Sequence, residues 1–351
     1  MGWTPLKGRT PRLASPGVAG VNGEDHNGGV RTISLTENGG PDVLTLVEVA
    51  TPDPGPGQIR VRLEAAGVNF IDVYHREGAY PLPLPFTPGQ EGAGVVDAVG
   101  DGVEKFQPGD RVCWAMSGGS YAEYAVVDED RLAAIPDSID SHTAAASMLQ
   151  GLTAHYLVTS VYPVTEGTFT VVHAVAGGVG LLLTQMIKAR GGIVIGTTST
   201  AEKAKRAESF GADHVIRYDQ GDWAQQVEDI VGAHSVDVVY DGVGKDTFEA
   251  GLGLLRPRGT MALFGASSGQ VPPFDLQRLS VLGSLVVTRP SLGHFITDAD
   301  EFSWRVGELF TAIAEGALTV SIAQTFDLAE AADAHRAIQS RNYSGKILLT
   351  T

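Results

Sequence analysis

The stretch VVHAVAGGVG (171–180) decides the fold of this chain. An apolar, strand-like run ends at His173. Ala174, Gly177 and Gly180 then follow in the spacing A-x-x-G-x-x-G, and a helical run, VGLLLTQMIKAR (179–190), continues from them. Glycine lets the backbone turn sharply and approach a pyrophosphate, and the following helix offers free amides and the positive end of its dipole to that anion. Between a strand and a helix, this pattern predicts dinucleotide binding by Ala176, Gly177, Gly178 and Val179. The competing reading is a tight packing turn.

A second strand follows at IVIGTT (193–198). Sites for NAD usually place a carboxylate at the end of this strand to grip the ribose 2′-hydroxyl. Here no acid stands before Glu202. The segment offers hydroxyls at Thr198, Ser199 and Thr200 and a cation at Lys203, and Tyr218, ending HVIRY, adds a phenol. Such donors suit a 2′-phosphate, which a carboxylate would repel. The expected cofactor is therefore NADPH in preference to NADH. The alternative is that Ser199 and Lys203 are a helix cap and a solvated surface charge.

Working outward, DHVIRY, DWAQQVEDIVG, VDVVYDGVG, TFEAGLGLL and TMALFG continue the alternation of strand and helix. That order predicts an α/β Rossmann domain with a doubly wound parallel sheet, placed at 151–289. SLVVTR (284–289) supplies a further strand. Before it, short strand-like runs separated by turns such as PDPGPG and QPGD predict a β-rich barrel or sandwich at 30–150. SHTAAASMLQGLTAHYLVTS reads as helices opened by Ser141. After 290 come two helices, WRVGELFTAIAEG and LAEAADAHRAIQS, and a final strand, KILLT. Residues 1–29, rich in Gly, Pro, Ser and Asn, show no periodicity and read as a disordered tail: a native extension, a cloning remnant or a start codon placed too early.

Composition narrows the function classes. Of 351 residues, 43% are hydrophobic, enough for two cores. The formal charge of −16 speaks for solubility and against a nucleic-acid footprint, which needs a basic face. A single cysteine, Cys113, excludes an intramolecular disulfide and a cysteine-rich zinc cluster. No apolar run reaches a membrane span's length of about 18 residues, and no signal peptide is visible, so no membrane insertion and a cytoplasmic location are expected.

From Val30 to Thr351 the chain resembles the zinc-independent quinone oxidoreductases of the medium-chain dehydrogenase/reductase superfamily. The matching stretches include GVNFIDVYHREGAYP (67–81), AAASMLQGLTAHYL (144–157), HAVAGGVG (173–180), GTTSTAEK (196–203), FGASSG (264–269) and TRPSL (288–292). The resemblance implies a GroES-like catalytic domain at 30–150, completed by 290–351, around the inserted Rossmann domain. It also implies a homodimer through nucleotide-domain edge strands, for which VLGSLVVTR (281–289) is the candidate. Two departures from the zinc alcohol dehydrogenases stand out. Asn69 takes the place of a metal-binding cysteine, and Gln90 takes the place of the histidine in G-H-E. Catalytic zinc needs three protein ligands, so no metal is expected.

The same resemblance places Asn69, Phe70, Ile71, Asp72 and Tyr74 along the nicotinamide and acceptor pocket, on a stretch read as a loop. Tyr80 joins Tyr74 as a group to stack on an acceptor or steady a new oxyanion, the alternative being core packing. Asn69 is assigned to orienting the nicotinamide or acceptor. Thr153 and Tyr156 are expected at the cofactor, as are Gly242, Phe264, Gly265, Ala266 and Ser267 at strand ends. Thr288, Arg289, Pro290 and Arg341 complete the set. His75 and His155 alternate with site residues and are expected to point away. The expected activity is hydride transfer from NADPH to a quinone. The alternatives are reduction of enones or other activated double bonds, and a non-enzymatic NADPH-binding or RNA-binding role.

Overall fold

The structure, a computed structural model, describes residues 29–351. The expected tail lies outside the described residues except for Gly29. The elements run β1 (Val30–Ser34), β2 (Thr45–Val49), β3 (Gln58–Val68), α1 (Phe70–Glu77), β4 (Glu91–Val99), β5 (Arg111–Ala115), β6 (Tyr124–Asp128), β7 (Ala133–Ala134) and α2 (Ser141–Tyr156). The alternating strands and helices follow as β8 (Phe169–His173), α3 (Gly178–Lys188), β9 (Ile193–Thr198), α4 (Ala201–Ser209), β10 (His214–Arg217), α5 (Trp223–Val231), β11 (Val236–Asp241), α6 (Phe248–Leu254), β12 (Leu255–Leu263), α7 (Gln277–Val281) and β13 (Val286–Thr288). The chain ends with α8 (Leu292–Phe295), α9 (Ala299–Ala314), β14 (Ile322–Asp327), α10 (Ala331–Ser340) and β15 (Lys346–Thr350).

Strands β8 to β13 form one parallel sheet in the order β10-β9-β8-β11-β12-β13, the doubly wound arrangement expected from the alternation. Its central strands are apolar on both faces because helices cover both. Strand order reverses between β8 and β11, so the glycine turn after β8 and Gly242 after β11 open onto one crevice. The second sheet runs β14-β15-β3-β4-β5-β7, with β6 on β3. There β15 pairs antiparallel with β3, aligning Ile347 with Val68 across almost the whole length of the chain. Helix α2 packs between the two sheets, and its buried alanines join one core with the nucleotide sheet and α9.

Three local readings change. NFIDVY is not a loop: its residues begin helix α1, with the Asn69 N–H donating to Asp72 Oδ2 at 2.9 Å at the helix start. The N-x-x-D spacing was the available signal. Helix α2 opens on Asp140, whose carboxylate accepts from Thr143 N at 2.8 Å, with Ser141 as first residue. It runs as a single helix into a π-turn at Leu157–Val161. Strand β14, IAQTFD, has no alternating apolar face to betray it; parallel pairing with β15 makes it a strand.

Candidate active site

A cleft of about 630 Å³ runs between the two sheets. At one end the chain turns through Ala174, at φ 52°, into Gly177 and helix α3. The Gly178, Val179 and Gly180 backbones face the cleft at the helix start, where amides lack carbonyl partners within the helix. The space is made by absent side chains. A Cβ on Gly180 would meet the Ala174 and Val175 carbonyl oxygens at 2.5 and 2.6 Å, and one on Gly178 would meet the Gln150 side chain at 2.0 Å. This cradle, with its amides and dipole, fits a pyrophosphate.

Beyond the turn, Thr198 ends β9, Ser199 follows it, and Lys203 stands in the first turn of α4. Lys203 Nζ lies 3.4 Å from Ser199 Oγ and donates to the Arg341 carbonyl. Arg341, in the left-handed conformation after α10, reaches the Ser267 carbonyl. Burial, and then the Arg341 charge, lower the Lys203 pKa. Two cations thus converge with carbonyl oxygens and a hydroxyl as their hydrogen-bond partners, an arrangement an anion would relieve. Tyr218 also lines the cleft, but its hydroxyl is held by Thr197 Oγ1 at 2.6 Å and lies 3.3 Å from His173 Nδ1; burial pushes its pKa up to about 12.

The other end is more apolar. Phe70, Ile71 and Tyr74 project from α1; Thr153 and Tyr156 from α2; Gly242, Phe264, Gly265 and Ser267 follow β11 and β12; Arg289 and Pro290 follow β13. Tyr156 is stacked on Phe295 with ring centroids 4.3 Å apart. Tyr74 meets the Tyr80 ring edgewise at 5.2 Å, and Arg289 donates to the Tyr80 hydroxyl at 3.2 Å. Burial raises the Tyr74 pKa, so it is a neutral hydroxyl near pH 7.

Four expected residues do not line the cleft. Thr200 is turned away to cap α4, accepting from Lys203 N at 3.3 Å. Thr288 ends edge strand β13, where alternation sends Arg289, not Thr288, into the cleft. Ala266 follows Gly265 in the turn after β12 and leaves the cleft wall to its neighbours Gly265 and Ser267. Asp72 is fully buried behind α1, because helical rather than loop geometry turns it away from Phe70, Ile71 and Tyr74. Its Oδ2 accepts from the Tyr121 hydroxyl at 3.1 Å as well as from Asn69 N. His335 joins this chain, with Nε2 3.1 Å from the Tyr121 oxygen and Nδ1 3.1 Å from Arg76 Nη1. Burial lowers its pKa to about 3, leaving it neutral. His75 and His155 stay off the cleft, as expected.

Burial raises the Asp72 pKa to about 7 against the opposing Asn69 amide, Lys346 charge and Tyr121 hydroxyl. The unfolded carboxyl ionises near ~3.9. Between about pH 4 and 7 the unfolded chain has therefore lost a proton that the folded chain keeps. Stability from this group falls as pH rises through that window and is flat above it. Asp72→Asn, neutral at every pH, should shrink the difference between the urea midpoints at about pH 4.5 and pH 8. An unchanged difference would place the titration elsewhere.

The sequence reading missed His173, Gln150, Leu149, Met116 and Leu292 in the cleft wall. His173 was legible as the last residue of β8, since ligands bind at strand C-terminal ends. It also missed the group behind Asn69. Lys346 Nζ donates to Asn69 Oδ1 at 2.7 Å and to Glu91 Oε2, and Asn69 Nδ2 donates to the same Glu91 oxygen at 2.9 Å. The Asn69 amide, expected to orient a ligand, is thus occupied by protein partners, although Asn69 itself borders the cleft.

Comparisons with known proteins agree with this architecture. The alcohol dehydrogenase GroES-like domain profile matches residues 55–137, and the zinc-binding dehydrogenase profile matches 178–304. The chain is 43% identical over 321 residues to quinone oxidoreductase 1 of Escherichia coli, spanning 90% of this chain and 98% of that protein. The crystal structure of Escherichia coli quinone oxidoreductase complexed with NADPH matches with a TM-score of 0.90 at 42% identity, over 92% of this chain and 100% of that one. A mycobacterial protein solved with NADPH matches with a TM-score of 0.89 at 48% identity and the same coverage. The 2-haloacrylate reductase of a Burkholderia species is 41% identical over 324 residues, 90% of this chain and 97% of that protein. With both sheets, the glycine cradle and the cleft between them in place, identity at this level over nearly the whole described chain means that it belongs to the quinone oxidoreductase family of the medium-chain dehydrogenase/reductase superfamily.

Proposed function

We propose that this chain is an NADPH-dependent quinone oxidoreductase. The observation that carries the cofactor choice is the convergence of Lys203 and Arg341 at the end of β9, where a carboxylate would favour NADH. The α3 amides and the glycine cradle would hold the pyrophosphate, and Thr153, Tyr156 and Pro290 would border the nicotinamide. When bound, NADPH supplies a hydride. The chain's own work is to align a flat acceptor in a dry slot walled by Phe70, Ile71, Met116 and Leu292. As a quinone takes up the electron pair, one carbonyl oxygen becomes an oxyanion. Tyr74 and Tyr80 are the neighbouring hydroxyl donors, Arg289 adds positive charge, and a proton from water completes the hydroquinone.

Steady-state kinetics with a small quinone test this. Tyr74→Phe should lower kcat about tenfold, the loss of one hydrogen bond to a charged oxygen, with the melting temperature nearly unchanged. Tyr74→Ala should cost more by removing the stacking face. Wild-type turnover by Tyr74→Phe would remove the oxyanion role. Reduction of activated carbon–carbon double bonds is the second reading, favoured by the similarity to a 2-haloacrylate reductase. Comparing kcat/KM for a quinone and an α,β-unsaturated ketone separates the two.

We also infer a homodimer formed through β13. This strand edges the nucleotide sheet, and Leu276, Val281 and Val286 beside and on it are 70, 85 and 50% exposed. An uncovered apolar edge invites association, so pairing with a second copy supports solubility. Sedimentation at micromolar concentration should give a dimer; a monomer would overturn this. Among the described residues no helix is long and apolar enough to cross a membrane. The charge of −16 supports a reading with no nucleic-acid partner.

A further inference from the structure

One of the matching profiles describes zinc-binding dehydrogenases, yet the donors behind the cleft floor do not make a zinc site. Asn69 offers only an amide, whose oxygen already accepts from Lys346 Nζ at 2.7 Å. Two carboxylates are near: Asp72, whose Oδ2 accepts from the Asn69 N–H and the Tyr121 hydroxyl, and Glu91. Its Oε2 is paired with the same ammonium, and its Oε1 accepts from Leu149 N at 2.5 Å. Among the described residues no three or more His, Cys, Asp or Glu side chains are grouped to hold a metal. A divalent ion here would have to lie against a buried positive charge, where repulsion is poorly screened.

Lys346 and Glu91 are 1 and 0% exposed, so both charges are dry. A buried ion pair is no more stabilising, as a rule, than well-packed apolar side chains of the same volume. The chain nevertheless makes room for this one. A Cβ on Gly67 would fall 2.1 Å from Glu91 Oε2 and 2.7 Å from Lys346 Cε. The group also joins four parts of the fold: Asn69 after β3, Glu91 opening β4, Leu149 in α2 and Lys346 opening β15. Asn69 borders the cleft, and both ends of its carboxamide are fixed, the oxygen by Lys346 and the nitrogen by Glu91 and the Gly67 carbonyl at 3.2 Å.

We propose that Lys346 acts as a positioning residue, its buried ammonium fixing Asn69 against the cofactor cleft. This rests on the reading of the cleft as the NADPH and acceptor site. Lys346→Met alone would leave Glu91 buried and unpaired, so the informative variant is Glu91→Gln with Lys346→Met, which removes both charges at similar volume.

NADPH affinity and the emission of its bound nicotinamide are read by fluorescence, and turnover by quinone reduction. In the paired variant the melting temperature should stay within a few degrees and the NADPH Kd within about threefold. The bound emission should shift and kcat should fall at least about tenfold. Adding Asn69→Ala to the paired variant should then cost little more, although Asn69→Ala alone costs as much as the pair, because coupled residues do not add. Wild-type emission and turnover in the paired variant, additive losses, or a variant that no longer folds would each overturn the positioning role. Elemental analysis of the wild type finding about one zinc per chain, with loss of that zinc shifting the bound emission, would overturn the reading of these donors as unfit for zinc. A wild type that binds NADPH but reduces neither quinone nor alkene would sink the functional reading alone, since the emission shift still reports on Lys346.

Discussion

Lys203→Ala should raise the KM for NADPH about ten- to a hundredfold and leave that for NADH nearly unchanged. A hydrogen bond to a charged group contributes about 1.5–3 kcal/mol. Lys203 is only partly buried, which sets the expectation toward the lower end of that range. The selectivity follows from the local structure. Strand β9 ends at Thr198, followed by Ser199 and no carboxylate, and Lys203 is brought to the same spot by the first turn of α4, which Thr200 caps. Arg341 arrives from the far end of the chain and adds a second cation. NADH lacks the 2′-phosphate and so gains nothing from either. Arg341→Ala should follow the same pattern. Equal changes for the two cofactors, measured by initial rates, would show that Lys203 does not read the phosphate.

Gly180→Ala should weaken binding of both NADPH and NADH on the order of a hundredfold, while Gly177→Ala should be much milder. The difference lies in what a Cβ would meet. At Gly180 it would press on the Ala174 and Val175 carbonyls at 2.5 and 2.6 Å, and backbone there cannot yield without opening the turn. At Gly177 the nearest atom is the Ala174 oxygen at 3.1 Å, and the residue has an ordinary φ of −75°. Overpacking of this kind costs about 1–3 kcal/mol of stability. Moving α3 away from β8 also withdraws its amides from the pyrophosphate, and losing one or two charged hydrogen bonds accounts for the hundredfold. Fluorescence titration with both nucleotides checks this. A Gly180→Ala protein with wild-type affinity would mean that the turn does not carry the cofactor.

The order of strand and helix and the glycine spacing were legible because they are local. A doubly wound sheet needs apolar runs of strand length and turns that only small residues permit, and both are written within a few positions of each other. The missing acid after β9 was legible for the same reason, and it pointed to a phosphate. Helix α1 was legible in principle, through Asn69 and Asp72 three apart, and was overlooked in favour of a loop. The resemblance places Asp72 in the cleft; helical geometry does not. Once the stretch is helical, Phe70 and Tyr74 fall one turn apart on the cleft side, and Asp72 turns inward to Tyr121.

By itself, the sequence determined the α/β class, the nucleotide turn and the preference for a phosphate-bearing cofactor, since each depends on neighbours along the chain. Tertiary structure alone decided the partners of those residues. Asn69 meets Lys346 across 277 positions, Lys203 meets the Arg341 carbonyl across 138, and strand β14 exists only by pairing with β15. None of these contacts has a period or a spacing. A lysine near a chain end looks like any solvated lysine until β15 adds to β3 and carries it into the dry floor of the cleft, where a charge persists only with a partner such as Glu91.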